Sequence, residues 1–236
     1  PVLLSGQNDT VTWFGPNGEM NAGDNPVLKK EIKYRGKNRV RINTEKAADD
    51  GSWTFLFTER ITKKGPDLFQ IKIKGQAFKE QIVRRFEPQS DGTFKFTDLQ
   101  NNQVKRTGFT KSKIPLIFHG EVIEYYAKGN KKSVSVYENN ELISNQNWEE
   151  NGEKYIDNIF YSVEREPRFL RGTKALHDHV LKTFRESEVD LSQIEGLLVV
   201  GFVVMENGEI DGIRIERGLG LDLNNLALNA FHTLQG

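Results

Sequence analysis

The sequence contains no cysteine, which excludes a disulfide framework and any thiolate metal site. Proline is scarce, with seven scattered residues, which excludes a long stiff polyproline spacer. Long apolar runs are also lacking: the nearly unbroken run Leu197–Met205 is too short by about half to cross a bilayer. Net charge is zero, from 33 Lys and Arg against 33 Asp and Glu, which argues against a dedicated nucleic-acid binder. Catalytic signatures are missing as well. No Gly-x-Ser-x-Gly, His-Glu-x-x-His or P-loop pattern occurs, and Gly218-Leu219-Gly220 lacks the third glycine and the βα context of a dinucleotide loop. Asp49-Asp50-Gly51 is not followed by EF-hand spacing and reads as an acidic turn. His177 and His179, two apart on a helix, point about 200° apart and make a poor metal pair. Glu121 and Glu124 fall on opposite faces of one strand. No catalytic, metal or cofactor-binding residue is therefore assigned, and no cofactor is expected.

What is present is β-forming sequence followed by a different kind of tail. From Thr10 to about Val163, short runs rich in Phe, Ile, Val, Trp and Tyr recur: VTWF, RVRI, WTFLF, FQIKIKG, QIVRRF, TFKF, PLIF, EVIEYY, SVSVY and KYIDNIFYSV. Turn dipeptides separate them, including Asn17-Gly18, Asp50-Gly51, Asp91-Gly92, Asn101-Asn102, Asn139-Asn140 and Asn151-Gly152. An antiparallel meander is the economical reading. Toward its end Tyr126, Tyr137, Trp148 and Phe160 lie 11, 11 and 12 residues apart, a spacing that predicts stacked hairpin units.

The tail reads as helix, hairpin, helix. Leu176, Val180 and Phe184 recur at i, i+4 and i+8. Leu223, Leu226, Ala227, Ala230, Phe231 and Leu234 form a second apolar stripe, with Asp222 expected as its N-cap. Between them, Asn207-Gly208 predicts a type I′ turn joining Leu197–Met205 to a return strand. Ile213 and Ile215 take one face of that strand, Arg214 and Glu216 the other.

On Glu166-Pro167, Phe169, Gly172, the strand Gly201-Phe202-Val203-Val204, Gly208, Ile210, Arg217-Gly218-Leu219 and Leu226-Ala227, the tail resembles the C-terminal domain of TonB-like proteins. The likeness covers about residues 164–236. It departs from the family pattern at Phe184-Arg185-Glu186, where Tyr-Pro is usual, and the sequence does not reach the family's last β-strand. On Tyr125-Tyr126-x-x-Gly129 and Trp148-x-x-Asn151-Gly152, residues 120–161 are similar to MORN-type repeats. The TonB-like resemblance implies a cell-envelope (periplasmic) protein from which a signal peptide was removed; Pro1-Val2-Leu3-Leu4 has neither basic n-region nor long apolar core. It also implies a protein or peptide partner, an outer-membrane transporter-like segment, taken up by β-strand pairing. Arg214, Glu216 and Arg217 form the candidate partner-binding surface.

Charge is unevenly placed: residues 1–120 hold 21 Lys and Arg against 13 Asp and Glu, and residues 121–236 hold 12 against 20. This favours docking between the halves or head-to-tail between molecules, unless both surfaces are simply solvated. The densest basic cluster, Lys29–Arg41, has Glu31 alone against seven cations, and Arg39 and Arg41 share a strand face. Arg35, Arg39 and Arg41 are the candidate anion-binding residues, for an envelope polymer or lipid headgroup; the alternative is the wet face of a strand.

The expected fold class is α+β. A β-rich domain over 1–162 carries the repeats, and a small α-β-β-α TonB-like domain over 163–236 lacks its last strand, with the boundary near Ser162–Arg168. The expected function is a non-enzymatic envelope interaction module linked to outer-membrane transport. Alternatives are a self-associating scaffold, hence a homo-oligomer, and a glycan hydrolase with a carboxylate dyad drawn from distant strands. No nucleic acid and no transmembrane segment are expected.

Overall fold

Strand-forming runs of alternating polarity make up most of the chain. The computed structural model describes residues 9–20, 26–48, 50–160, 167–189, 191 and 194–234. Pro1–Leu4, Asp49, Glu166 and most of the expected domain boundary lie outside the described residues. Two units are distinguished, Pro1–Glu164 and Arg165–Gly236.

Among the described residues the first unit is one sheet of eleven antiparallel strands, each hydrogen-bonded to the next in sequence. They are β1 (Thr10–Phe14), β2 (Leu28–Tyr34), β3 (Arg39–Ala47), β4 (Trp53–Lys63), β5 (Leu68–Gly75) and β6 (Lys79–Pro88), then β7 (Phe94–Gln100), β8 (Gln103–Lys113), β9 (Leu116–Tyr125), β10 (Lys131–Glu138) and β11 (Glu141–Asn147). Alternate residues point to one face. Ile32, Val40, Ile42, Ile61, Phe69, Ile71, Ile82, Phe86, Phe96 and Val122 form a single buried cluster on it. The sheet curls until its ends meet: the Asn17 carbonyl accepts the Leu142 N–H at 2.8 Å and the Gly18 carbonyl accepts Asn140 Nδ2 at 2.7 Å.

Three strands were not expected. β2, β8 and β11 are rich in Lys, Gln, Asn or Ser, and their inward residues alone carry the signal. PLIF and EVIEYY are not two strands but one, β9, which passes through Gly120 at φ +80°. Residues 154–160 form no strand. They run beside β11 instead, held by Asn145 Nδ2 on the Ile159 carbonyl (2.6 Å) and Asn147 Nδ2 on the Ile156 carbonyl (2.8 Å). The 11-residue aromatic spacing thus matches one strand and one turn, not a hairpin.

In the second unit α1 (Gly172–Arg185), β12 (Val199–Val204), β13 (Ile210–Arg217) and α2 (Leu221–His232) follow in order. The hairpin packs on α2 through Phe202 and Phe231, whose ring centroids lie 5.3 Å apart. His179 Nε2 on α1 lies 2.9 Å from the Ala230 carbonyl on α2. The turn is not type I′: only Gly208 has positive φ, and the Gly208 N–H closes onto the Met205 carbonyl. Asn207 stays out of the left-handed region because its Oδ1 accepts the Glu209 N–H at 3.0 Å. Asp222 does not cap α2; Gly220 holds that position without a side-chain bond, and Asp222 lies in the first turn, where its charge complements the helix dipole.

The α+β assignment does not hold. The described residues are 52% strand, with an eleven-strand antiparallel sheet and two short helices, which makes this a β-rich fold. The three polar strands that composition concealed extend the sheet and tip the balance.

Candidate functional site

Two rows of charge cross the sheet, one on each face, and they differ in sign pattern. On the inner face Arg84, Asp98, Arg106 and Glu124 are direct cross-strand neighbours on β6, β7, β8 and β9. Signs alternate, and each pair closes. Arg84 donates to Asp98 from Nε (2.6 Å) and NH2 (2.9 Å), Arg106 donates to Asp98 Oδ2 at 2.9 Å, and Arg106 lies 3.6 Å from Glu124. Arg84 and Asp98 are 3% and 1% exposed, so both charges have left water and depend on each other. Burial pushes the Asp98 carboxyl up, but the Arg84 and Arg106 guanidiniums outweigh it and hold it below the usual carboxylate range. Both guanidiniums also sit over the Phe96 ring, 5.7 and 5.6 Å from its centroid.

This row lines a cavity of about 300 Å³, which Lys30, Glu59 and Phe118 also border. Burial lowers the Lys30 ammonium below its ordinary value against the opposing pull of Glu59. Since Asp98 accepts from two guanidiniums, its lone pairs are committed to structure. Sequence reasoning missed the whole row. Nothing in QIVRRF or TFKFTDLQ marks these charges as buried, and the only available signal was that Arg84 and Asp98 share inward parity with Ile82, Phe86 and Phe96.

On the outer face the row is all positive. Lys33, Arg41, Arg60 and Lys72 are direct neighbours across β2, β3, β4 and β5, and beside them Lys74 on β5 faces Lys79 on β6. Lys33 is neutralised by Glu31 at 2.7 Å. Arg60, Lys72, Lys74 and Lys79 make no ion pair among the described residues, and Arg41 donates only to the neutral Asn43. Like charges directly opposite are destabilising in a sheet, so this row costs the fold something.

The expected anion-binding residues divide on this geometry. Arg39 and Arg41 lie exposed on β3, whereas Arg35 sits in the turn after β2, 3.8 Å from Asp9. Glu31 is not alone against the cluster either, since Glu45 takes Lys29 at 2.7 Å. The cations that complete the row come from β4, β5 and β6. In the second unit Arg214 Nε donates to Glu216 Oε1 at 2.6 Å along β13, and Arg217 closes that strand opposite Val199. β12 pairs with β13 on one edge, and no described strand pairs with its other edge. Along β12 and its flanks, Leu197, Val199, Phe202, Val204 and Met205 remain exposed.

The chain matches no family model, no curated protein and no solved structure. No helix among the described residues is long and apolar enough to cross a membrane.

Proposed function

We propose that the chain is a non-enzymatic interaction module of the cell envelope that recognises an extended partner segment by strand pairing on its C-terminal unit. The reading is supported above all by one observation: among the described residues the β12–β13 ribbon is a sheet of two strands, and β12 carries exposed apolar side chains. A two-stranded ribbon is a marginal structure by itself, and an added strand satisfies its backbone groups and covers its apolar side chains. Backbone hydrogen bonds then supply affinity, while the exposed Val199 and Val204 side chains favour apolar neighbours on the added strand. The resemblance of the tail sequence to TonB-like C-terminal domains supports an outer-membrane transporter-like segment as the partner, and Arg214, Glu216 and Arg217 on the neighbouring strand would read its charges.

The experiment is a titration of the full chain with extended peptides of the transporter-segment type, followed by amide hydrogen exchange. Protection is expected to rise along Val199–Val204 and nowhere in the eleven-strand sheet. Peptides that leave β12 exchange unchanged at saturating concentration overturn the reading. A second copy of β12 would fit the same edge, and light scattering over a concentration series separates the two occupants.

A further inference from the structure

We propose that the outer face of β3–β6 is a binding site for a linear acidic polysaccharide, independent of the C-terminal ribbon. Arg41, Arg60 and Lys72 form a row that runs across the strands, with Lys74 and Lys79 paired beside it, along a groove of about 570 Å³. Neighbouring strands are about 4.8 Å apart, so the row presents one cation per strand step. A sugar polymer with one carboxylate or sulfate per ring offers anions at a comparable repeat. None of the five cations has an acidic partner among the described residues, and the one acid lining the groove, Glu80, is taken by Lys105.

A fold that tolerates such a row without internal counterions is poised to take them from a ligand. Phe55, exposed in the same groove, offers a ring face against which the C–H face of a sugar can pack. The shape and lining discriminate between polyanions. A bilayer surface is flat and would not follow a groove. A single-stranded nucleic acid needs a series of rings for its bases, whereas one ring accompanies five cations here.

The test measures binding of heparin and polygalacturonate oligosaccharides to the full chain by calorimetry, at low and at high salt. Single-stranded DNA and anionic vesicles are run in parallel. Binding of the acidic oligosaccharides that weakens as salt rises is expected. In the double variant Arg60→Gln/Lys72→Gln it falls by about thirtyfold, each cation contributing about fivefold. The control Lys174→Gln/Lys182→Gln removes the same charge from exposed positions on α1 and should leave affinity unchanged. Should the double variant misfold, Lys79→Gln in the hairpin end and Phe55→Ala carry the same comparison. Equal weakening by the control pair, tighter binding of DNA or vesicles, or no oligosaccharide binding at low salt each overturns the proposal.

Discussion

Asp98 shows how much one residue can carry when two guanidiniums close on it. Removing the carboxylate leaves Arg84 charged, buried and uncompensated, so Asp98→Asn should cost about 3–5 kcal/mol in urea unfolding. The pH dependence follows from its lowered folded-state value. The stabilisation is complete above the unfolded value of about 3.9 and is lost as pH falls through the lower folded value. The stability gap between the native chain and Asp98→Asn should therefore hold from neutrality into mild acid and close only below the ordinary carboxylate range. A gap already closing above pH 5 would contradict the assigned geometry. Arg60 lies at the other extreme. It is exposed, with Arg41 and Lys72 directly opposite, so Arg60→Gln should raise stability slightly, by about 0.2–1 kcal/mol in the same assay. At this scale the sequence was half legible. Arg39 and Arg41 announce a cationic face by alternation, but nothing local separates Arg60, which completes it, from Arg84, which is buried.

Turns carry the readable information at the scale of elements, and side-chain chemistry decides which kind each becomes. Asn101-Asn102 and Asn139-Asn140 both hold two residues at positive φ, as a type I′ hairpin requires. Asp50, Asp91, Asn151 and Asn207 instead accept an N–H two residues on, and only the glycine after each turns left-handed. The dipeptides marked turn positions but not turn types, which is why Asn207-Gly208 differs from its expectation. The two Asn-Asn turns should respond oppositely to glycine. Asn102 makes no side-chain bond among the described residues, so Asn102→Gly relieves a left-handed residue and is neutral to stabilising by up to about 1 kcal/mol. Asn140 donates to the Gly18 carbonyl and accepts from the Phe118 N–H at 3.2 Å. Asn140→Gly should cost about 1–3 kcal/mol, because it unties the sheet's first hairpin from its last. Paired thermal melts of the two variants check this. Curling of the sheet was not legible in the sequence, since Asn140 and Gly18 are joined only by the fold.

For the whole molecule, the division of charge looks different once the units are known. Drawn at residue 120 the halves differ by sixteen charges, at +8 and −8. Drawn at the unit boundary, residues 1–164 hold 25 Lys and Arg against 22 Asp and Glu, and residues 165–236 hold 8 against 11. The change of sign therefore falls inside the eleven-strand sheet, near β9, and not between the units. That weakens the case for docking of oppositely charged halves and concentrates the cationic surface on the early strands. Burial is as uneven as charge. Twelve buried apolar side chains belong to the sheet, but among the described residues of the second unit only Leu223, Ala227 and Ala230 are buried, all on α2. So small a core holds a correspondingly small free energy of opening. Native-state hydrogen exchange should find α1 and β12 opening at low cost, while β4–β8 exchange only through global unfolding. An extended peptide seated on β12 should slow exchange in the ribbon and leave the sheet untouched. Amides that all exchange through one common opening, in both units alike, would show that the ribbon is not the loosely held element that strand addition requires.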